Sequence, residues 1–172
     1  MNNNKIFDFR TVALTILTIL LLIPIFSLIH ESGHGLICKL DGKDFVFGIG
    51  ITGGWLSCIG VIEDPTLFRL AGGMLTAITA FTTFAILKPK LVGRFKFIAI
   101  ALVTMGIGEY FFGLMEGFAN DFYMHSRFSG AASCILILSV LMILFYRESK
   151  FIKEQKELES LRWSVKTLRN FS

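Results

Sequence analysis

The sequence has few of the residues from which disulfide-stapled or zinc-knuckle domains are built. It contains three cysteines, at positions 38, 58 and 134, and no two of them have the C-x-x-C spacing. Because their number is odd and their separations are wide, the cysteines predict neither a disulfide framework nor a zinc knuckle. They leave the redox state of the surrounding compartment open.

Charged residues are also scarce, at 17% of the chain, whereas 53% of the residues are hydrophobic and the mean hydropathy is +0.66. This composition excludes an ordinary soluble domain. A membrane-spanning helix needs about 20 mostly apolar residues, and the segments 11–38, 67–87, 95–115 and 129–146 meet that requirement. The alternation typical of a transmembrane β-barrel is lacking. The sequence therefore predicts an all-α polytopic membrane protein of about four transmembrane helices, surrounded by the lipid bilayer and without a nucleic-acid partner.

The first apolar segment does not have the features of a cleavable signal peptide. Lys5 and Arg10 supply the basic flank, but the apolar run is longer than the usual core of a signal peptide, and no A-x-A-like cleavage site follows it. The segment continues instead into two histidines. We therefore expect it to be retained as the first transmembrane helix.

Basic residues concentrate on one side of the predicted bundle. They precede helix one, fill the link between helices two and three, and follow helix four, at Lys5, Arg10, Lys88, Lys90, Arg94, Lys96, Arg147, Lys150, Lys153 and Lys156. The other two links are poorer in positive charge. Because short cytoplasmic loops carry an excess of lysine and arginine, we expect both termini to be cytoplasmic in a multi-pass protein of the plasma membrane.

Residues 44–62 interrupt the helical pattern with β-branched residues, aromatic residues and five glycines. Two short strands over about 45–51 and 55–62, joined at Gly53 and Gly54, fit this composition and predict a β-hairpin between helices one and two. The open edge of such a hairpin could pair with an extended peptide. A loop packed on the helix ends is the alternative that the sequence leaves open.

We expect the chain to divide into a membrane-embedded part, residues 1–146, and a charged tail, residues 147–172. In the tail, apolar residues recur among lysine, arginine and glutamate. This pattern is typical of a basic amphipathic helix on the inner membrane surface. A solvated, frayed tail would have a similar composition.

The stretch IFSLIHESGHGLICKL carries the H-E-x-x-H motif as His30, Glu31 and His34. Residues four apart share a face of a helix, so both imidazoles can hold one metal ion. Glu31 is rotated by about 100° from His30, where it can reach a water beside the metal rather than the metal itself. Zinc lowers the pKa of such a water, and the glutamate accepts its proton. Gly33 and Gly35 would leave space for a substrate backbone.

The setting of the motif makes it more specific than its spacing alone. Two of the three histidines in the chain form it, inside a segment predicted to cross the membrane. Ionisable residues within membrane helices are rare and usually functional. The competing interpretation is a pair of core histidines that form hydrogen bonds with neighbouring helices.

The third metal ligand has to come from another helix end on the same side of the membrane, because a catalytic zinc usually has three protein ligands. The end of helix three supplies acids there, with Glu116 as the first choice and Asp121 as the alternative third ligand. Asn120, one turn after Glu116, could orient a ligand. Glu109, two turns before Glu116, is a weaker candidate. Each acid could instead belong to a solvated helix end.

Two further residues near this region have ligand chemistry, His125 and Cys38. His125 could bind the metal or stabilise an oxyanion, but a surface histidine is the commoner case. Cys38 follows His34 by four residues and could offer a thiolate, although a buried cysteine more often acts as a small apolar residue.

These residues resemble the site-2 protease family of intramembrane zinc metalloproteases. The family carries H-E-x-x-H in a membrane helix, then a β-hairpin region, a glycine-rich helix with an A-G-P segment, and a later helix whose L-D-G motif supplies the third ligand. Here HESGH is followed by the hairpin-like segment, by LAGGMLTAI at 70–78 and by LMEGF at 114–118. Glu116 replaces the aspartate, Gly73 replaces the proline, and no asparagine follows in helix two. There is no inserted PDZ domain, so the resemblance, over about 11–122, is that of a divergent, minimal member.

The resemblance implies a zinc endopeptidase that cleaves transmembrane or signal-peptide-like protein substrates. His30, His34 and either Glu116 or Asp121 would hold the zinc, and Glu31 would be the general base. The charge pattern puts the motif toward the outer side of the membrane, whereas the family's site usually lies nearer the cytoplasm. A non-catalytic membrane protein that binds or transports a metal is the alternative. A chain that has lost activity is less consistent with an intact Glu31.

Overall fold

The computed structural model describes residues 9–50, 53–88, 95–120 and 135–148, together with residues 150, 151, 154, 155 and 158. The main elements within these residues are α1 (Phe9–Leu40), β1 (Phe45–Ile49), β2 (Gly54–Cys58), α2 (Pro65–Leu87) and α3 (Lys96–Phe118). Residues 135–148 are also helical and are called α4. The predicted mostly helical fold with a β-hairpin after helix one is confirmed.

Three helices, α1, α2 and α3, are long and apolar enough to cross a membrane, at 32, 23 and 23 residues. The hydrophobic runs of the sequence already indicate these helices, because each run exceeds the roughly 20 residues that a bilayer requires. The predicted fourth span begins at residue 129, and its first residues lie outside the described part of the chain. Most of the predicted amphipathic tail also lies outside it.

A glycine turn ends α1 and starts the hairpin. Gly42 has a φ of +67°, and its N–H and that of Lys43 donate to the carbonyls of Lys39 and Cys38, at 3.0 and 2.8 Å. This arrangement is the usual way in which a left-handed residue terminates a helix. Asp44 follows at the entrance to β1 and pairs with Lys39, which holds the pKa of the Asp44 carboxyl below its usual range by a hydrogen bond and by its positive charge.

The hairpin is shorter than the sequence predicts. The antiparallel ladder runs from Phe45 opposite Cys58 to Ile49 opposite Gly54, whereas the predicted strands reached residues 51 and 62. Gly54 is therefore a paired strand residue and not part of the turn. After β2 the chain bends away at Gly60, whose φ of +119° is incompatible with an extended strand.

The cysteine spacing predicts no disulfide, and this prediction is wrong for one pair of cysteines. Cys38 of α1 and Cys58 of β2 form a disulfide across 20 residues of sequence, with their Cα atoms 5.7 Å apart. The hairpin folds back along α1 and so brings two distant cysteines within the Cα distance that a disulfide requires. Cys38 is therefore neither a thiolate ligand nor a free apolar residue, although it is fully buried.

Helix α2 begins at a well-defined cap. The Asp64 carboxylate accepts hydrogen bonds from the N–H groups of Thr66 and Leu67 at 3.0 and 2.9 Å, and Pro65 occupies the first turn. A capping aspartate followed by proline is a strong start signal. Because the cap sets the first residue of α2, it also sets the level at which the glycine-rich part of this helix lies against α1 and α3.

Helix α2 packs antiparallel between α1 and α3. Phe26 of α1, Ala80 of α2 and Leu102 of α3 share one buried cluster. Nearer the other end of the bundle, the backbones of α2 and α3 cross closely at Gly73 and Gly113, where a Cβ atom on Gly73 would lie 2.5 Å from the Gly113 backbone. Small residues allow such close helix crossings, and this one brings the end of α3 against the histidine-bearing part of α1.

Candidate metal centre

Helix α1 presents both histidines of the motif on one face. The imidazole rings of His30 and His34 lie edge to face, with their centroids 4.9 Å apart. This is the arrangement that a spacing of four residues predicts on a helix. The side chains are largely enclosed, with exposed fractions of 15% and 11%.

Helix α3 adds a carboxylate to the two imidazoles. The Glu116 Oε2 atom lies 3.4 Å from His30 Nε2 and 3.8 Å from His34 Nε2. One ligand atom from each of these residues lies within 4.8 Å of the others. Donor atoms around a tetrahedral zinc are about 3.3 Å apart, so small side-chain movements suffice to close the set on a metal ion. The structure thus places Glu116, the first choice for the third ligand, beside both histidines. Asp121 and His125 lie outside the described residues.

Hydrogen bonds determine which imidazole nitrogens face the carboxylate. The Nδ1 atom of His34 lies 2.7 Å from the Phe68 carbonyl oxygen, which only accepts, so Nδ1 carries the proton. The Nδ1 atom of His30 lies 3.0 Å from Oε2 of Glu109, and the carboxylate likewise accepts. In the neutral form of each ring, Nε2 then has the lone pair that metal ligation requires, and this nitrogen lies on the side of Glu116.

Gly72 of α2 lies directly beside the two histidine side chains. A Cβ atom there would lie 2.5 Å from His34 Nε2 and 2.6 Å from His30 Nε2, so a side chain would occupy the place of the metal ion. The sequence predicts that Gly33 and Gly35 leave space beside the ligands for a substrate backbone. For Gly33 this is wrong, because it is packed against the Ala71 carbonyl, whereas Gly35 lines a cavity between α1 and the hairpin beside Phe45 and Leu56.

Charge balance also favours a cation at this place. Glu109 and Glu116 are only 16% and 18% exposed. Within the described part of the chain they are paired with His30 and His34 rather than with a lysine or an arginine. Two enclosed carboxylates need positive charge beside them, which a protonated His30 or a divalent metal ion would supply. A divalent metal ion would neutralise the two carboxylates.

Glu31 is rotated by about 100° around α1 from His30, and its side chain lies on the side of the helix that faces the hairpin. Its side chain is 8% exposed and packs on the backbone of Gly54, where a Cβ atom would lie 2.7 Å from Glu31 Cγ. Glu31 also borders a cavity of about 300 Å³ between α1 and the hairpin. The cavity walls are mostly apolar and include Leu28, Leu36, Phe45, Phe47 and Leu56.

Comparisons with protein-family models, with curated proteins and with solved structures give no match for this chain. Two imidazoles and one carboxylate form a nitrogen- and oxygen-donor set that suits zinc. Glu31 lies beside the apolar cavity between α1 and the hairpin, which is called the groove below.

Sequence reasoning missed two participants in this site. It treated Glu109 as a weaker candidate for the third ligand, and it assigned no role to Phe68. The seven-residue spacing of Glu109 and Glu116 was a usable signal, because it puts both acids on one face of α3. The Phe68 carbonyl had no signal in the sequence, since any residue has such a carbonyl group.

Proposed function

We propose that this protein is a membrane-embedded zinc endopeptidase that hydrolyses peptide bonds in transmembrane or signal-peptide-like protein substrates. The observation that carries the proposal is the convergence of His30 Nε2, His34 Nε2 and the Glu116 carboxylate, with Glu31 on the adjacent helix position. This arrangement supports the resemblance to the site-2 protease family, which otherwise rests on the order of the sequence motifs.

Zinc is the metal that fits the donor set best among those that two histidines and a glutamate commonly bind. His30, His34 and Glu116 would hold it. A zinc ion held there would polarise the scissile carbonyl group and lower the pKa of the attacking water. Gly72 keeps the space beside the two Nε2 atoms free of a side chain.

Glu31 performs the proton transfers of the proposed reaction. Its carboxylate accepts a proton from the attacking water as the new bond forms between the water oxygen and the carbonyl carbon. It then donates that proton to the amide nitrogen as the carbon–nitrogen bond breaks, so that the products are a carboxylic acid and an amine. The apolar groove beside Glu31 gives the substrate chain a surface on which to lie.

The substrate segment has to be extended at the cleavage position, because the amide groups of an intact helix are shielded by their own hydrogen bonds. The groove lies between α1 and the hairpin, and strand edges pair with extended peptides. A substrate segment at the end of a membrane helix, or within a residual signal peptide, would carry apolar side chains that fit the groove. It would also unwind locally at the cleavage position.

Two independent features support an outer-side site in the plasma membrane with both termini in the cytoplasm. The basic residues of the sequence cluster at the opposite end of the helices. The Cys38–Cys58 disulfide lies at the site end, and disulfides persist in oxidising compartments outside the cytoplasm. The proposed reaction would then occur toward the outer face of the membrane.

The alternative of a metal carrier would require a polar path through the helices. The buried threonines are the candidates for such a path, but the hydroxyl groups of Thr15, Thr76 and Thr104 each donate within their own helix. Thr76 donates to the Gly72 carbonyl and Thr104 to the Ile100 carbonyl, at 2.9 and 2.8 Å. A carrier also has no use for Glu31 beside the ligands. These observations favour the endopeptidase.

The test compares zinc content and peptide cleavage in detergent-purified protein. The substrate is a peptide with one apolar membrane-spanning segment, and the variants are Glu31→Gln, Glu116→Ala and the matched control Glu63→Gln, an exposed acid near α2. We expect wild type and Glu63→Gln to bind one zinc and to cleave. We expect Glu31→Gln to keep the zinc and to lose about 100-fold or more of the rate, and Glu116→Ala to lose both.

Two results would count against the proposal. Cleavage that persists in Glu31→Gln would remove the general base from the mechanism. A wild-type protein without zinc would return the histidine pair to a structural role.

A further inference from the structure

The imidazole of His30 lies between two carboxylates of the same helix. Glu116 Oε2 is 3.4 Å from Nε2 on one side of the ring, and Glu109 Oε2 is 3.0 Å from Nδ1 on the other. The two glutamates are seven residues apart on α3, which corresponds to two turns and a rise of about 10.5 Å. Helix α3 therefore contacts both nitrogen atoms of the His30 imidazole.

Glu109 does not belong to the ligand set itself. The three donors that lie within 4.8 Å of one another come from His30, His34 and Glu116. The Glu109 carboxylate instead accepts the Nδ1–H hydrogen bond of His30, on the ring nitrogen that faces away from the proposed metal. Any effect of Glu109 on the metal therefore passes through His30.

We propose that Glu109 is a positioning residue that holds His30 in the tautomer and ring orientation needed for metal binding. The proposal rests on the metal site of the proposed function. A carboxylate that accepts from the far nitrogen of a ligating histidine fixes the ring and makes the near nitrogen a stronger donor, and loss of such a partner typically lowers metal affinity by about 10- to 100-fold.

The two histidines differ in how they are held, and this difference makes the proposal testable. His34 is fixed by the backbone carbonyl of Phe68, which no side-chain substitution removes. His30 is fixed by a side chain from a helix 79 residues further along the chain. Substitution of Glu109 thus releases one ligand and leaves the other in place.

Glu109 also contributes to the charge of the site. Together with Glu116 it brings two negative charges next to the imidazoles, and a divalent cation balances them. A glutamine at position 109 keeps an oxygen that accepts the Nδ1–H hydrogen bond but removes the charge. An alanine removes both. The pair of substitutions separates orientation from charge.

The experiment measures metal affinity on full-length, detergent-purified protein. Zinc is titrated against a chelator of known affinity, and the absorption spectrum of the Co²⁺-loaded protein reports the ligand geometry. The variants are Glu109→Ala, Glu109→Gln and the control Glu63→Gln. Thermal unfolding of the metal-free proteins shows whether the variants fold.

We expect Glu109→Ala to bind zinc about 10- to 100-fold more weakly and to change the Co²⁺ spectrum, while Glu109→Gln retains most of the affinity and the wild-type spectrum. Equal affinities of Glu109→Ala and wild type would overturn the proposal, as would a Glu109→Gln variant that is as weak as Glu109→Ala. These readouts do not depend on cleavage, so a wild-type protein that binds zinc without cutting peptides would refute the endopeptidase and leave the role of Glu109 standing. A wild-type protein that binds no zinc would refute both.

Discussion

Cys38 of α1 and Cys58 of β2 are joined by a disulfide one helical turn beyond His34. The bond ties the hairpin to the helix that carries the proposed zinc ligands and the general base. It also keeps Phe45 and Phe47 of the hairpin in the wall of the groove beside Glu31. The geometry of the groove is therefore controlled by a covalent link as well as by packing.

The first prediction concerns the oxidation state of the cysteines. With the Cys38–Cys58 bond formed, one of the three cysteines remains for alkylation. Mass spectrometry of the unfolded protein should find one alkylated cysteine without a reductant and three with it. In Cys134→Ser the unreduced protein should take up none, and alkylation of all three cysteines without reduction would contradict the bond.

Removal of the disulfide should loosen the hairpin. A bond that closes a loop of about 20 residues contributes about 3 kcal/mol in the chain-entropy description. In Cys38→Ser with Cys58→Ser, the amide hydrogens of β1 and β2 should exchange on the order of 100-fold faster, whereas those of the α2–α3 contact should not change. Hydrogen exchange with mass spectrometry measures both regions in one sample, and uniform acceleration would indicate global destabilisation instead.

The second prediction uses a matched pair of glycines. Gly72→Ala puts a methyl group 2.5 Å from His34 Nε2, whereas a Cβ atom at Gly108 of α3 meets nothing closer than 3.7 Å. We expect Gly72→Ala to lose at least tenfold in zinc affinity and Gly108→Ala to bind zinc as wild type does. Chelator competition gives both values. Tight zinc binding by Gly72→Ala would exclude the space beside this glycine as the metal position.

The third prediction is that zinc stabilises the folded protein. A ligand that binds only the native state at 100 times its Kd contributes about 2.7 kcal/mol, which corresponds to a rise in Tm of about 5–10 °C for a chain of this size. Differential scanning fluorimetry with and without a chelator measures the shift. Glu116→Ala should show none, and an equal shift in that variant would mean that zinc binds elsewhere.

The fourth prediction separates the endopeptidase from a carrier. Thr104 is 1% exposed and donates its hydroxyl proton to the Ile100 carbonyl of its own helix. Thr104→Val has nearly the same shape and lacks the hydroxyl. For the endopeptidase we expect a cleavage rate within about twofold of wild type, since the change is nearly isosteric and removes neither a proposed ligand nor the proposed general base. A loss of zinc uptake in vesicles that contain the variant would instead indicate a transport path.

Local patterns account for the parts of this protein that sequence reasoning predicts well. The apolar runs determine α1, α2 and α3, because a segment of that length and composition is stable in a bilayer only as a helix. The pairing of His30 with His34 follows from their spacing on α1. The start of α2 at Pro65 and the end of α1 before Gly42, which differ from the predicted spans 67–87 and 11–38, reflect capping chemistry that acts within a few residues.

The strand bounds show where local patterns stop being sufficient. Residues 59–62 have a composition suited to a strand, yet β2 ends at Cys58. The chain turns there at Gly60, and Glu63 then donates its N–H to the Asp41 side chain at 3.0 Å. The contact with the end of α1 prevails over strand propensity, which depends strongly on context.

The sequence by itself determined the membrane-length helices and the histidine–glutamate–histidine motif, because periodicity and spacing act between near neighbours. It indicated the hairpin but left a packed loop as the alternative. Only the tertiary structure decided that Glu116 reaches the histidines, that Glu109 orients His30, and that Cys38 meets Cys58. The His30 and Glu109 side chains are separated by 79 residues. They meet because glycines allow α2 to approach both α1 and α3 closely, and such long-range contacts have no periodic signal in the chain.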